Sequence, residues 1–258
     1  MATRFDECVQ AGASRQFPQP DLAHASMPHP RVFTPSILFL MAVTRSPVAG
    51  QNIPSPYAPV EHSQAFAVFA GKSDLNPGRL GLGPQNATTA GGQYTVAFGP
   101  MNLDVDGTLF MSTRDVLDVS RPVDDRSLGT TDIDIFLFDL RLRLNLTGPR
   151  AWHGLQPFIA FGGGAGFPVS TDRRLETNAE MPPDEWYEFG RSFIGTLAGG
   201  ANFHVHDRVS IRVEGVMNLW KIATPAGWKT VAADPLSENP ESEWVAARTI
   251  RVGLAWRF

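Results

Sequence analysis

From about residue 60 to the end of the chain, apolar and polar residues alternate one by one in a series of short stretches. A period of two places successive side chains on opposite faces of an extended strand, so the pattern predicts strands and not helices. It is clearest at Phe136, Phe138, Leu140, Leu142, Leu144 and Leu146, which make an unbroken apolar face opposite Leu137, Asp139, Arg141, Arg143 and Asn145. The final segment, Trp244 to Phe258, alternates up to the last residue. Ile250, Val252, Leu254, Trp256 and Phe258 share one face, and Arg251, Gly253, Ala255 and Arg257 the other. The other predicted strands are His62–Lys72, Gly92–Phe98, Leu103–Met111, Leu155–Gly164, Arg191–His204 and Val209–Lys221. Pro157 cannot donate a ladder hydrogen bond, which puts it near the beginning of its strand.

These eight strands are joined by connections of alternating length. The long ones are Ser73–Gly91, Ser112–Thr131, Ala165–Gly190 and Ile222–Glu243; the short ones are Gly99–Asn102, Thr147–Gly154 and Val205–Arg208. An even strand count with short turns at one end and long loops at the other is the arrangement of membrane-spanning barrels. Charges fall on one face of several strands: Asp104 and Asp106, then Asp139, Arg141 and Arg143, then Arg212 and Glu214, then Arg251 and Arg257. A soluble sheet also alternates, with its polar face in water. Here the Phe136–Leu146 stripe is long enough to cross a bilayer at a tilt, and the charged faces carry both signs, so an enclosed network could be neutralised pairwise. The expected fold is an all-β, eight-stranded antiparallel up-and-down transmembrane β-barrel. Asp139, Arg141, Arg143, Arg212, Glu214 and Arg251 are expected to form the interior network. A cylinder of eight strands is just wide enough to be filled by side chains, so a plugged interior is expected and not a wide pore. A water-soluble, lipocalin-like barrel around a small apolar ligand is the alternative.

Composition narrows the function. The formal net charge of -4 gives no reason to expect nucleic acid. The single cysteine, Cys8, permits no internal disulfide and no cysteine-based metal site. No apolar run approaches the ~20 residues a spanning helix needs. A closed barrel then remains as the spanning form, because hydrocarbon leaves open strand edges unsatisfied. Towards the N-terminus, Arg31, the apolar Phe33–Val43 and the small residues Val48, Ala49 and Gly50 before Gln51 follow the order of a secretory signal. The expected organisation is an upstream extension over 1–26, a signal peptide over 27–50, an extended lead-in over 51–59 and the barrel over 60–258. Trp152, Trp256 and Phe258 are expected to mark the interfacial girdle at the turn end, and Trp220 and Trp244 the girdle at the loop end.

Candidate chemistry is sparse. His24 and His29 precede the expected cleavage, and His62 and His153 stand alone. His204 and His206 would share a strand face if the strand continued, with Asp207 beside them, but no third zinc ligand is evident. Pairing Ser192 or Ser210 with a histidine would suit an outer-membrane lipid hydrolase, yet neither serine sits in a nucleophile motif. The run Gly162-Gly163-Gly164, followed by Gly166, lacks the Gly-Lys-Ser/Thr ending of a phosphate loop. Together with Gly199 and Gly200, it reads as allowing curvature beside large neighbours such as Phe161. The long loops hold Asp115, Asp118, Asp124, Asp125, Glu176, Glu180, Asp184, Glu185, Glu188, Asp234, Glu238, Glu241 and Glu243. Their default reading is surface solvation, and a sharper one is divalent cations bridging to lipopolysaccharide phosphates. No catalytic, cofactor-binding or metal-binding set is assigned.

With these residues in view, the stretch from 60 to 258 resembles the small outer-membrane β-barrel proteins of the OmpA-like or OmpX-like eight-stranded kind. The segments AARTIRVGLAWRF, FLFDLRLRLNLTG and LQPFIAFGGGAGF carry the resemblance. It implies a bacterial outer-membrane location without a peptidoglycan-binding domain, and a structural or surface-interaction role, with narrow-pore transport as a variant. It further implies contact with outer-membrane lipids and lipopolysaccharide. The barrel-assembly machinery would recognise the last strand through its terminal Phe258. A monomer with no enzymatic activity and no cofactor is expected.

Overall fold

The computed structural model describes residues 55–60, 63–229 and 240–258. The expected upstream extension, the signal peptide, His24, His29, His62, Asp234 and Glu238 lie outside the described residues. Among the described residues ten strands follow one another: β1 (Tyr57–Pro59), β2 (Gln64–Leu75), β3 (Ala87–Phe98), β4 (Met101–Leu117), β5 (Ser127–Asn145), β6 (Arg150–Trp152), β7 (Leu155–Thr171), β8 (Ser192–His206), β9 (Val209–Ala223) and β10 (Ser242–Arg257). Two short α-helices, α1 (Arg174–Asn178) and α2 (Ala226–Lys229), lie in the third and fourth long loops. Among the described residues no helix is long and apolar enough to cross a membrane.

Eight of the strands close on themselves. Each of β2, β3, β4, β5, β7, β8, β9 and β10 pairs antiparallel with the next, and β10 pairs back onto β2 from Ala247↔Leu75 to Arg257↔Ala65. The fold is therefore a closed, eight-stranded, antiparallel up-and-down barrel, and closure removes the free strand edges that would otherwise template aggregation. The two short strands are additions at the turn end. β1 pairs with β6, and the Val60 amide donates to the Pro149 carbonyl. Tyr57–Pro59 are extended and hydrogen-bonded to the β5–β7 connection beneath the barrel.

All eight predicted barrel strands are present, but the long connections are shorter than their composition suggested. β4 runs on to Leu117, β5 begins at Ser127, β7 reaches Thr171 and β3 begins at Ala87. The cause is visible on β5. Its outward residues from Phe136 to Leu146 are apolar, while Asp132 is outward and polar. Its inward residues change from Asn145, Arg143, Arg141 and Asp139 to Leu137, Ile135 and Ile133. The chemistry of both faces inverts while the pleat continues, so a search for one apolar face stops at the inversion although the backbone ladder does not.

Close approach between strands requires glycine at several inward places, Gly164 and Gly200 among them. A Cβ on Gly164 would collide with the Phe138 carbonyl and the Asp139 backbone, and a Cβ on Gly200 would collide with the Val213 carbonyl. The neighbour for which Gly200 makes room is Phe158, whose ring faces inward. Phe161, the expected neighbour, points outward and is 56 % exposed. The branched substitution Gly164→Val should block closure beside β5. The expected result is loss of the faster-migrating, unboiled band in a semi-native gel, which checks folding directly.

Candidate functional site

The outward face of the barrel carries Phe66, Val68, Leu103, Phe138, Leu140, Leu142, Ile159, Leu197, Ile211, Val213, Val252 and Leu254, all exposed. On β5 this apolar stripe covers ten residue steps, roughly 33 Å along the strand and about 25 Å in height after a tilt of about 40°. It matches the apolar band of a spanning barrel. Trp152, Trp256 and Phe258 stand exposed at the turn end, and Trp244 at the loop end, where interfacial aromatics belong. Trp220 does not join them. It is inward and 1 % exposed, packed edge-on against Phe189, because its even position on β9 shares the parity of Arg212 and Glu214.

Inside, the filling is stratified. The middle layer is ionic. Arg141 pairs with Asp106 at 2.8 Å, Asp139 at 2.6 Å and Glu214 at 3.2 Å; Arg251 pairs with Asp106 at 2.8 Å and Glu214 at 2.9 Å. Thr108 donates to Asp106 and Thr196 to Asp139. The Arg251 guanidinium also lies 3.9 Å from the centre of the inward Phe69 ring. Asp106 and Asp139 are directly opposed across β4 and β5, and their mutual repulsion is relieved because Arg141 binds both. All six residues expected in the network are buried inside the barrel, and Asp104 and Asp106 join them. The lower part, towards the turns, holds Arg143, Arg212 and Arg257. Asp104 meets Arg143 at 3.3 Å, and Arg212 donates to Asn202 and Gln93.

Above the ionic layer the interior turns apolar. Phe110, Ile133, Ile135, Leu137, Ile194, Trp220, Val245 and Ala247 pack together, and the long loops descend onto them with Leu82, Tyr187, Phe189 and Trp228. Glu176 of α1 is buried and ion-paired with Arg114 of β4, and that guanidinium lies 5.7 Å from the Tyr187 ring centre. Trp228 of α2 donates its indole N–H to the Glu185 carbonyl at 3.1 Å. Three loops therefore interlock as a structured cap. Sequence reasoning missed this layer because Glu176 and Tyr187 lie in a stretch without periodicity. The inward Leu137 and the apolar residues beyond it on β5 were the available signal.

Several of the loop carboxylates have individual partners. Asp115 accepts from Gln85 and Thr130, Glu188 pairs with Arg173, and Glu243 accepts from the Arg79 backbone amide. Among the described residues no three His, Cys, Asp or Glu side chains lie together as metal ligands would. Burial works against the Asp118 carboxylate, but hydrogen bonds from Ser120 and Arg121 outweigh it and hold the pKa below the usual aspartate value. Glu185 moves the other way, raised by burial and by the nearby Asp118 and Asp184.

The histidine and serine candidates do not assemble. A bulge between His204 and His206 breaks their shared facing: His204 is half-buried, 3.3 Å from Gln156, while His206 is exposed. Ser192 and His204 sit at opposite ends of β8, roughly 40 Å apart along the strand. Ser210 lies opposite His204 across the ladder, without an acid positioned to orient the imidazole.

No protein-family model matches the sequence, and no curated protein matches it. Solved structures do resemble it. Neisserial surface protein A is 13 % identical, with a TM-score of 0.45 over 79 % of this chain and 98 % of its own. The N-terminal β-barrel domain of OprF from Pseudomonas aeruginosa is 10 % identical, with a TM-score of 0.37 over 75 % and 98 %. Ail, the attachment invasion locus protein of Yersinia pestis, is 12 % identical, with a TM-score of 0.37 over 77 % and 99 %. The barrel assignment itself rests on the closed ring of strand pairings.

Two predictions follow from the interior and the cap. Arg141→Leu leaves Asp106, Asp139 and Glu214 buried around one remaining arginine. Removing one partner of a buried ion pair costs about 3–5 kcal/mol, so denaturant unfolding in detergent micelles should show a loss of that order. Phe138→Leu, on the outward face, should change little. The depressed pKa of Asp118 makes its contribution to the cap present above the ordinary aspartate pKa of about 3.9 and lost as pH falls through the lower folded value. Protection of the amides over residues 118–126, taken relative to the intrinsic exchange rate at each pH, should fall on acidification, and Asp118→Asn should show the lower protection already at neutral pH.

Proposed function

We propose that the protein is an integral barrel of the bacterial outer membrane that presents a rigid, folded platform at its loop end, with a structural or surface-interaction role and not that of a channel. One observation carries this reading: the lumen is filled by two stacked plugs, ionic in the middle and apolar at the loop end, inside a wall whose outward belt is hydrocarbon-like. The same observation weighs against a lipocalin-like carrier, because an apolar ligand would meet the Arg141 and Arg251 network where such a carrier has its cavity. Ser192 stands far from His204, and Ser210, opposite His204, has no acid among the described residues that orients the imidazole, so the lipid-hydrolase reading gains no support.

In this reading residues 27–50 direct export and 60–258 make the barrel. Lipids and lipopolysaccharide contact the outward stripe, and the assembly machinery engages β10 and Phe258. A closed ring needs no second copy to satisfy its edges, which favours a monomer. The interlocked loops offer a fixed surface to a partner outside the cell, since side chains held by their own core lose little freedom on binding.

The reading is checked by expressing the full chain in a Gram-negative host. Recovery in the outer-membrane fraction is expected, with the purified protein giving no steady conductance in a planar bilayer. Recovery in the soluble periplasm would overturn the location. A stable open-channel current would overturn the plugged-barrel role.

A further inference from the structure

The charges inside the barrel are not evenly matched from layer to layer. In the middle layer, Arg141 and Arg251 face three carboxylates, Asp106, Asp139 and Glu214. In the layer towards the turns, Arg143, Arg212 and Arg257 share one buried carboxylate, Asp104, while Glu214 of the layer above acts on Arg143 and Arg212 and the exposed Asp207 acts on Arg257. Counted over the buried side chains of its own level, the lower layer carries an excess of two positive charges, and all three arginines are buried, at 2 %, 6 % and 7 % exposure.

These arginines line a cavity of about 60 Å³ with His204, Asn145, Gln156 and Asn202. Among the described residues its wall includes no carboxylate. At about 10–15 Å³ for one ordered water, it has room for a cluster of a few waters or a single small polyatomic ion. Two donors around it find no acceptor in the described protein, Nη1 of Arg143 and Nε of Arg257; Nδ1 of His204 and the acceptor Oδ1 of Asn145 are also unpaired. Arg143 places its other nitrogens on Asp104, Thr95 and, with the amide turned to accept, Asn102. An unpaired charged donor in a low dielectric is costly; away from this cavity, Nε of the buried Arg114 is the other guanidinium nitrogen without an acceptor in the described protein. Arg257 reaches the cavity from the end of β10, where its Nη2 donates to the His206 carbonyl.

We propose that this chamber is a binding site for a small inorganic oxyanion of the phosphate type, entering from the turn end of the barrel. A tetrahedral oxyanion presents several acceptors to the unpaired donors and offsets the positive excess of the layer. Guanidinium groups suit it because their planar forks match paired oxygens. The site is independent of the surface role proposed above, since it lies at the opposite end of the barrel.

The test uses the refolded full chain in a nonionic detergent at constant ionic strength. Phosphate is titrated against chloride while the thermal unfolding midpoint and the heat of binding are followed. A saturable rise in the midpoint with phosphate, absent with chloride, is expected. Arg257→Gln removes one donor without stranding a buried carboxylate, since the acid nearest in influence, Asp207, is exposed. It should weaken phosphate by about tenfold or more, as expected for loss of one charge-assisted hydrogen bond, while remaining folded by gel mobility. Arg174→Gln, on the exposed α1, should bind as the parent does. Absence of a saturable phosphate response in the folded parent overturns the site. So does an unchanged response in Arg257→Gln. An equal response to chloride overturns the oxyanion assignment.

Discussion

A strand keeps its facing for as long as its ladder is unbroken, while the medium around it changes from one end to the other. That constraint organises the whole barrel. Every inward side chain on β5 from Asn145 to Thr131 is committed by the pleat, and so is every outward one. Where the outside is hydrocarbon, from Leu146 to Phe136, the inside holds the charges. The inside turns apolar first, at Leu137, and past Phe136 the outward residues become Asp134 and Asp132 beside the inward Ile135 and Ile133. One continuous sheet thus serves as an inside-out barrel in its lower part and as an ordinary barrel above.

The two interiors solve different problems. In the lipid-facing zone the outer wall already supplies the apolar surface, and the lumen is too narrow for a water column alongside large side chains. Guanidinium groups suit this space because each can bind several carboxylates at once: Arg141 meets three and Arg251 two. Such a network is costly to desolvate and gains little over an apolar core. Its value here lies in keeping the lumen polar, so that the hydrophobic face can only be the outer one. Beyond the lipid zone that demand lapses, and apolar packing takes over with loops as its lid.

The cap turns the loops into part of the folded body. Leu82, Tyr187, Phe189 and Trp228 contribute to the same cluster as Trp220 and Phe110, and the buried Arg114–Glu176 pair ties α1 to β4. Surface loops held by their own core can carry function on a rigid support. At the other end, the β1–β6 ladder spans from the lead-in to the β5–β7 connection, beside a lower interior that keeps an excess of arginine.

The sequence by itself determined the strand count, the alternation of short and long connections, the outward stripe and the identity of the charged inward residues. All of these depend on single-residue parity, a local property that each stretch displays without its partners. Closure of β10 on β2, the triple bridging by Arg141, the burial of Glu176, and the surplus of arginine in the lower layer were decided only by the tertiary structure. Parity states which face a side chain takes, but not its height in the barrel or which of seven other strands stands opposite. Distances across the lumen, and therefore charge balance layer by layer, follow from register and closure, which no local stretch contains.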